Sequence, residues 1–232
     1  MTAHDLGLYS GERQVAGVYD DIRADHRYRY EWADRIIPAG GYGLDAFCGN
    51  GYGAWLLSRT RHVLGLDGSK EAVVFASDHF PTPRTLYAHA YWPFELPEAA
   101  FDFIVSLESV EHVPDGQAFF ASLSRALKPG GQIIFSTPNE DLLPHQATGN
   151  HFHFKHYTLN ETLGLANEQG LQVLSWAGQD CYQMTEEGRQ GALLADEMTI
   201  LRNETPGQFT IVSCRKPEAT QLSTPWWKRR SR

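Results

Sequence analysis

The chain has few cysteines, no long apolar run and a deficit of positive charge. Three cysteines, Cys48, Cys181 and Cys214, lie far apart in 232 residues, which fits free thiols in a reducing cytoplasm and not a disulfide framework. No apolar run approaches the roughly 18 residues of a membrane-spanning helix. The first residues, Met1-Thr-Ala-His-Asp-Leu, lack the basic and apolar regions of a secretory signal. We therefore expect a cytoplasmic protein.

The deficit of positive charge bears on the partner. The formal net charge is -8, from 20 Lys and Arg against 28 Asp and Glu. This acidity makes a nucleic-acid partner unlikely, because a broad surface for phosphates would need excess positive charge; a local basic patch stays possible. A chain of this length can bury a substantial core in one α/β domain.

Short apolar runs alternate with helix-compatible segments through most of the chain. This alternation predicts an α/β fold with a Rossmann-like, doubly wound and mostly parallel sheet. The predicted strands are 42–47, 62–66, 84–89, 101–106, 131–136, 171–177 and 208–214. The predicted helices are 51–60, 69–79, 115–127 and 158–169.

The chain is predicted to have three parts. Residues 1–37 should form an N-terminal helical cap, 38–214 the main domain, and 215–232 a basic aromatic tail. The main domain carries two predicted insertions, 138–157 and 178–207. The first insertion is too polar and histidine-rich for a core, so we place it above the carboxyl edge of the sheet. The tail is read as a frayed end or, alternatively, as a contact for a membrane surface or an acceptor.

A glycine cluster follows the first predicted strand. Gly49 and Gly51 lie at a strand-to-helix turn, where backbone N–H groups can approach a nucleotide because no Cβ intervenes. Asp67 ends the next apolar run, where a carboxylate can accept hydrogen bonds from ribose hydroxyls. The glycines alone could pass for a dinucleotide fingerprint. However, Asp45 lies just upstream, where it would repel a pyrophosphate but favour an amino group.

These residues, together with Leu127-Lys-Pro-Gly-Gly131, resemble the S-adenosylmethionine-dependent methyltransferases of the Rossmann-like class. The resemblance implies a seven-stranded sheet with a reversed edge strand and S-adenosylmethionine at the carboxyl ends of the first strands. It also implies that Asp45 orients the methionine amino group, directly or through water. By the same resemblance, the Gly49 and Gly51 backbone passes beneath the sugar and Asp67 holds the ribose.

Four further residues are expected at this cofactor site. Many relatives place an acid after the third strand, whereas this chain reads Ala88-His-Ala-Tyr-Trp92, so we expect backbone groups around His89 and Ala90, with an aromatic wall, to substitute. Leu107, directly after the fourth predicted strand, is also assigned to cofactor binding. Arg29 in the cap could meet the methionine carboxylate; a salt bridge between cap and domain is the alternative.

Two acids and a histidine follow the fourth predicted strand, in the segment Leu107-Glu-Ser-Val-Glu-His-Val113. On a helical turn, Glu108, Glu111 and His112 would share a face and could converge on one point. Two carboxylates and an imidazole suit a divalent metal ion. Alternatively, acids at a helix start commonly face water.

The first insertion adds further potential ligands and a closer resemblance. The pattern is similar to ubiquinone-pathway O-methyltransferases, to small-RNA 3′-terminal 2′-O-methyltransferases and, most closely, to a bacterial group found beside glycosyltransferases. That bacterial group combines four motifs, which read here as His26–Tyr30, Glu108–His112, Ser136–Asn139 and Asn150–His153. The resemblance covers roughly residues 24–177. It selects His153, over His151 and His156, as a fourth metal ligand.

The resemblance implies a chemistry for these residues. Methyl transfer from a sulfonium is an in-line displacement, so the protein must align the acceptor oxygen and remove its proton. A divalent ion held by Glu108, Glu111, His112 and His153 would stabilise a developing alkoxide on the acceptor. Two vicinal hydroxyls can chelate one such ion, which predicts a diol or catechol acceptor. We assign Glu111, His112 and His153 to catalysis. If no metal binds, a histidine is the natural general base; a structural role for the histidines is the remaining alternative.

The predicted function is a metal-assisted, S-adenosylmethionine-dependent O-methyltransferase. Its acceptor, implied by the glycosyltransferase-associated group, is a sugar or glycan end, including a lipid-linked one at the inner membrane face, as in surface-polysaccharide assembly. A deep, apolar acceptor pocket would instead favour a phenolic, catechol or quinone precursor. An RNA terminus ranks third because of the net acidity. A protein of another class, which binds the cofactor without catalysis, would show no methyl transfer.

Overall fold

A computed structural model describes residues 7–10 and 13–218. The strands are β1 Tyr42–Ala46, β2 His62–Asp67, β3 Thr85–His89, β4 Phe101–Leu107, β5 Leu127–Pro138, β6 Gln172–Gln179, β7 Tyr182–Met184, β8 Gln190–Leu193, β9 Arg202–Asn203 and β10 Phe209–Arg215. The α-helices are α1 Ala24–Ile36, α2 Tyr52–Leu57, α3 Lys70–His79, α4 Gly116–Ala126, α5 His145–Thr148 and α6 Leu159–Glu168.

The main sheet has the predicted parallel core and reversed strand. Its strand order is β3-β2-β1-β4-β5-β10-β6-β9. Strands β1 to β5 pair in parallel, and β10 runs antiparallel to both β5 and β6. The sheet has eight strands and not seven, because β9 adds a two-residue edge beside β6. The strand order reverses between β1 and β4, and open α/β sheets bind ligands at such a reversal.

Hydrophobic clusters cover both faces of this sheet. Ile134 and Phe135 are neighbours in β5, so their side chains point to opposite faces. Phe135 packs in one cluster with Phe119 of α4. Ile134 packs in the other cluster with Trp32 of α1 and Leu57 of α2. The helices therefore form layers on both sides of the sheet, as a doubly wound fold requires, and α1 shares its core with the sheet.

Three of the predicted helices begin at side-chain caps that are readable in the sequence. The Ser69 hydroxyl accepts from the N–H of Ala72 at the start of α3, and Asp115 caps α4 in the same way. Thr158 and Glu161 form a reciprocal capping box at α6. These caps satisfy N–H groups of the first turn that have no partner within the helix. Each predicted helix included its cap residue, which lies just outside the helix, so the observed helix begins one residue later.

The two predicted insertions have different structures. Residues 138–157 carry α5, and a bridge between Asn139 and Tyr157 closes the loop beside the end of β5. Residues 178–207 contain the hairpin of β7 and β8 and then β9. Within the described part of the chain, no helix is long and apolar enough to cross a membrane. The prediction of a tail contact falls mainly on residues 219–232, outside the described residues.

Candidate functional site

A cavity of about 460 Å³ opens where the strand order reverses, within the usual range for small-molecule sites. The tips of β1, β2 and β4 border it, together with the cap and the first insertion. Its lining includes Arg13, His26, Arg29, Tyr30, Phe47, Gly49, Asp67, Tyr91, Trp92, Pro93, Leu107, Glu108, His112, Val113, Pro114, Phe152 and Phe154.

The turn after β1 is shaped by residues with positive φ angles. Gly49 has φ 54°, and a Cβ built on it would meet no heavy atom within 4 Å. Gly51 has φ 91°, and a Cβ there would approach Ala76 to 2.5 Å and would also crowd Tyr87. Gly49 therefore leaves its surroundings open beside the cavity, whereas Gly51 lets the turn approach α3 and β3 closely. Phe47 also has a positive φ of 60°, which is unusual for a bulky residue.

Asp67 lies at the tip of β2 and is almost fully buried. Its two oxygens accept hydrogen bonds from the backbone N–H groups of Gly49 at 2.9 Å and Ser69 at 2.8 Å. The Arg13 guanidinium is 3.4 Å from the same carboxylate. These contacts fix the carboxylate at the edge of the cavity, where the sequence predicts ribose binding.

Asp45 is fully buried and does not itself line the cavity. One carboxyl oxygen accepts from the Tyr30 hydroxyl at 3.0 Å, and Tyr30 does line the cavity. The other oxygen has no hydrogen bond of normal geometry to any described residue. Burial raises the pKa of Asp45 to about 7, reinforced by the nearby Asp67 charge and opposed by the Tyr30 hydrogen bond and the Ala54 N–H. Tyr30, which the sequence analysis missed, therefore links Asp45 to the cavity.

The residues after β3 form an aromatic wall. His89 is not among the lining residues, and its imidazole is 3.0 Å from the Gly68 carbonyl oxygen. The N–H of Ala90 donates to the Asp67 carbonyl oxygen, so neither residue lines the cavity directly. The lining is formed by the following residues, Tyr91 and Trp92 among them. At the tip of β4, Leu107 lines the cavity as predicted.

Arg29 is buried between the cap and the main domain. Its Nε donates to the side-chain oxygen of Gln179 at 2.6 Å, and its Nη1 lies 3.8 Å from a Glu108 oxygen. Burial alone would lower the pKa of Arg29, but Glu108, Cys181 and Asp25 together raise it, so the guanidinium stays charged. Arg29 thus makes the cap-to-domain ion pair named as the alternative and also lines the cavity.

Three of the four predicted metal ligands come together. One potential ligand atom from each of Glu111, His112 and His153 lies within 4.8 Å of the other two. The His112 and His153 rings are 4.6 Å apart between centroids. Glu108 is outside this group within the described residues. A short 3-10 turn covers only Val110–His112, and Glu108 precedes it with φ 50°, so the helical spacing assumed from the sequence does not apply to Glu108.

A hydrogen-bonded relay sets the orientation of His153. The Nδ1 of His156 lies 2.7 Å from the carbonyl oxygen of Leu143, so it carries the proton and donates. Burial lowers the pKa of His156 to about 4 and keeps the ring neutral, which leaves its Nε2 as an acceptor. His153 Nδ1 therefore donates to that Nε2 at 2.7 Å, and its own Nε2 carries a lone pair that faces the Asn150 amide at 3.0 Å. The sequence analysis missed this role of His156, although the spacing His153-x-x-His156 hinted at it.

The first insertion also positions His112. The N–H of Phe154 donates to the Glu111 carbonyl oxygen at 2.7 Å, which ties the insertion to the 3-10 turn. His112 Nδ1 lies 3.3 Å from the Phe152 carbonyl oxygen. His151 lies apart from the group of three, and its ring stacks on that of Phe152 at 4.0 Å. Backbone groups of the insertion thus hold Glu111 and His112 in place.

The chain is similar to known methyltransferases. Residues 44–135 match the family model of the methyltransferase domain. This part of the chain is therefore similar to a methyltransferase domain. The solved structure of an S-adenosylmethionine-dependent methyltransferase from Mesorhizobium loti shares the fold of this domain, with 22% identity, a TM-score of 0.61 and coverage of 81% of this chain and 98% of that chain.

Two curated relatives of the methyltransferase domain are named for related activities. A probable S-adenosylmethionine-dependent methyltransferase of Mycolicibacterium smegmatis is 31% identical over 169 residues, 71% of this chain and 65% of the relative. A ubiquinone biosynthesis O-methyltransferase of Aromatoleum aromaticum is 29% identical over 68% of this chain and 76% of the relative. The chain spans between half and two thirds of the length of the mycobacterial relatives that it matches.

Proposed function

We propose that the protein transfers the methyl group of S-adenosylmethionine to a hydroxyl oxygen, assisted by a divalent metal ion. One observation carries the proposal: potential ligand atoms of Glu111, His112 and His153 lie within 4.8 Å of one another, and His112 lines the same cavity as Asp67. The cofactor assignment follows the methyltransferase domain, whereas the metal and the oxygen acceptor rest on this group of three.

The described residues fit S-adenosylmethionine. The cavity is large enough for a nucleoside, and Asp67 offers carboxylate oxygens at the strand tip where ribose hydroxyls bind in such sheets. The open surroundings of Gly49 leave its backbone accessible, and Tyr30 connects the cavity to the carboxyl of Asp45. When bound, the cofactor supplies a methyl group on a sulfonium, which is already a strong methyl donor.

The donor set also fits a divalent metal ion. One carboxylate and two imidazoles are suitable ligands for several divalent ions. Such an ion would supply Lewis-acid stabilisation for an acceptor hydroxyl. The chain's own contribution is orientation: His156 fixes the tautomer of His153, and the Phe152 carbonyl oxygen orients His112.

The same residues support a mechanism for proton removal. His153 is held with Nδ1 protonated, so the basic lone pair of its ring is on Nε2, which faces the Asn150 amide. A neutral imidazole with a fixed lone pair can bind a metal ion or accept the hydroxyl proton of an acceptor. In either role His153 acts beside the cavity into which the acceptor must enter.

The acceptor is proposed to be a vicinal diol, because two adjacent hydroxyls can chelate one ion. The resemblance to the glycosyltransferase-associated group favours a sugar or glycan end. A catechol is the second candidate, because the walls around His112 are apolar and aromatic. They are formed by Val113, Pro114, Phe152 and Phe154, with Trp92 nearby in the cavity lining.

A metal-supplemented activity screen with labelled cofactor tests the proposal. Sugars, glycans and catechols are offered with Mg²⁺, Mn²⁺ or a chelator. We expect turnover of a diol with a metal ion, and its loss in Glu111→Gln and in His153→Ala, while both variants bind S-adenosylhomocysteine as the wild type does.

The matched control is His151→Ala, since His151 is exposed and outside the group of three. This control should retain full turnover. Undiminished activity of Glu111→Gln or His153→Ala in chelator would remove the metal from the proposal. Turnover of catechols alone would decide between the two acceptors.

A further inference from the structure

Arg13 lies before the cap helix and contacts the carboxylate that is predicted to hold the ribose. Its Nη2 is 3.4 Å from Asp67 Oδ1, and its Nη1 donates to the Gly7 carbonyl oxygen at 3.2 Å. The Arg13 side chain is 14% exposed and that of Asp67 is 5% exposed, so the pair is largely shielded from water. Arg13 also lines the cavity, although no motif in the sequence pointed to it.

The contacts of Asp67 leave little room for a further donor. A carboxylate has two oxygens and about four acceptor positions. Among the described residues, the N–H of Gly49 takes one position on Oδ2, and the N–H groups of Ser69 and Arg13 take two on Oδ1. One position, on Oδ2, is left. A ribose carries two adjacent hydroxyls, so a carboxylate that accepts from both needs two open positions.

Arg13 is the donor that a ligand can displace. The backbone N–H groups of Gly49 and Ser69 donate at 2.9 and 2.8 Å, and Ser69 is also fixed as the N-cap of α3. The Arg13 contact of 3.4 Å is longer than the usual N–H···O range, and it comes from the end of a long side chain. A hydroxyl that competes for Oδ1 therefore removes the guanidinium and leaves the backbone contacts intact.

The pair with Arg13 supports Asp67 when no nucleoside is bound. A buried carboxylate is costly unless it is paired, and Asp67 is almost fully buried. Arg13 supplies the opposite charge at the position where ribose hydroxyls are expected to donate. The arginine thus stands in for a ligand group, and its pair with Asp67 must break before the carboxylate can accept from both hydroxyls.

We propose that Arg13 is an internal competitor for the ribose of S-adenosylmethionine, which pairs with Asp67 before binding and gives up Oδ1 when both ribose hydroxyls bind. The inference rests on the proposed function, since it takes the nucleoside cofactor as given. A nucleoside with a single ribose hydroxyl uses the open position on Oδ2 and leaves Arg13 in place. The product S-adenosylhomocysteine carries the same ribose as the cofactor, so the competing arginine also favours product release.

Calorimetric binding of S-adenosylhomocysteine and of its 2′-deoxy form tests the competition. We expect Arg13→Ala to bind S-adenosylhomocysteine about two- to fivefold more tightly than the wild type, in line with the removal of a weak ion pair. The affinity for the 2′-deoxy form should stay unchanged. In thermal melting, Arg13→Ala should melt at a lower temperature than the wild type without nucleoside and gain a larger shift from S-adenosylhomocysteine.

The matched control is Arg84→Ala, which removes the same charge from an exposed position outside the cavity lining and should leave both affinities unchanged. Should Arg13→Ala fold poorly, Arg13→Gln keeps a donor without the charge and should tighten S-adenosylhomocysteine by a smaller factor. Unchanged or weaker binding of S-adenosylhomocysteine in the Arg13 variants, or an equal change for both nucleosides, overturns the inference. Failure of the wild type to bind S-adenosylhomocysteine would instead refute the proposed function.

Discussion

At the scale of single residues, Asp45 is a carboxyl group buried where its charged form is disfavoured. It is fully buried, and only one of its oxygens has a hydrogen-bond partner of normal geometry within the described residues. Its pKa is raised from 3.8 to about 7, chiefly because burial penalises the charged form. The folded protein therefore binds a proton at Asp45 more tightly than the unfolded chain does.

This pKa determines a pH dependence of stability. A raised pKa favours folding below the ordinary value of 3.8, and that contribution is lost as the pH rises toward 7. We expect Asp45→Asn, which keeps an acceptor for Tyr30, to exceed the wild type in unfolding free energy at pH 8 by up to about 4 kcal/mol. The difference should shrink toward pH 4, as measured by denaturant unfolding across this range.

The control for Asp45 is an acid whose pKa moves in the opposite direction. Asp102 is partly exposed, and hydrogen bonds from Lys128 and from the Tyr42 N–H lower its pKa. Asp102→Asn should therefore give no gain in stability as the pH rises. A constant difference between Asp45→Asn and the wild type from pH 4 to 8 would contradict the assignment of a buried, protonated carboxyl.

At the scale of elements, the first insertion connects a histidine relay to the group of three. His156 is buried and bridges the Leu143 carbonyl oxygen to His153. Outer hydrogen-bond partners of this kind fix the tautomer of a metal-binding histidine and raise its basicity. His156 is thus a positioning residue for His153.

We expect His156→Ala to weaken Mn²⁺ binding by roughly 10–100-fold, the usual effect of losing such a partner. His156→Gln should restore part of the affinity, because its side-chain oxygen can accept from His153. Calorimetric titration of Mn²⁺ measures both variants, and thermal melting checks that they fold. Wild-type affinity in His156→Ala would show that the relay is only structural.

The elements also show which features the sequence could predict. The helix starts at Ser69, Asp115 and Thr158 were predictable, because capping is a local interaction between neighbouring residues. The edge strand β9 was not, since its two residues are held by pairing with β6 and carry no pattern of their own. The position of Glu108 outside the turn of Glu111 and His112 could not be predicted either, because a glutamate in the sequence gives no sign of a left-handed backbone.

At the scale of the whole molecule, the sheet and the cap helix share a hydrophobic core. Tyr30, Trp32, Ala33 and Ile37 pack in the same cluster as side chains of β4 and β5. The alternation of strands and helices predicted the doubly wound, mostly parallel sheet, because parallel strands need helical crossovers and these follow strict rules. The predicted boundary between the cap in 1–37 and the main domain stays a prediction.

The shared core leads us to expect that a chain starting at residue 38 does not fold. Removing α1 would expose the surfaces of α2 and of the sheet that it covers. Near-ultraviolet circular dichroism and calorimetry should show neither fixed tertiary structure nor a cooperative transition. The milder variant Trp32→Ala should cost about 3–5 kcal/mol and keep the transition cooperative. A cooperative melt of the truncated chain near the wild-type temperature would establish the cap as a separate unit.

Phe47 and Glu108 follow neighbouring strands β1 and β4, and both have positive φ angles that glycine or asparagine would adopt with less strain. Selection for thermal stability alone would therefore favour replacing both residues, and the cavity would lose the Phe47 ring and the Glu108 charge from its lining. Work to raise the thermal stability of this protein should therefore leave Phe47 and Glu108 unchanged and introduce stabilising substitutions at other positions.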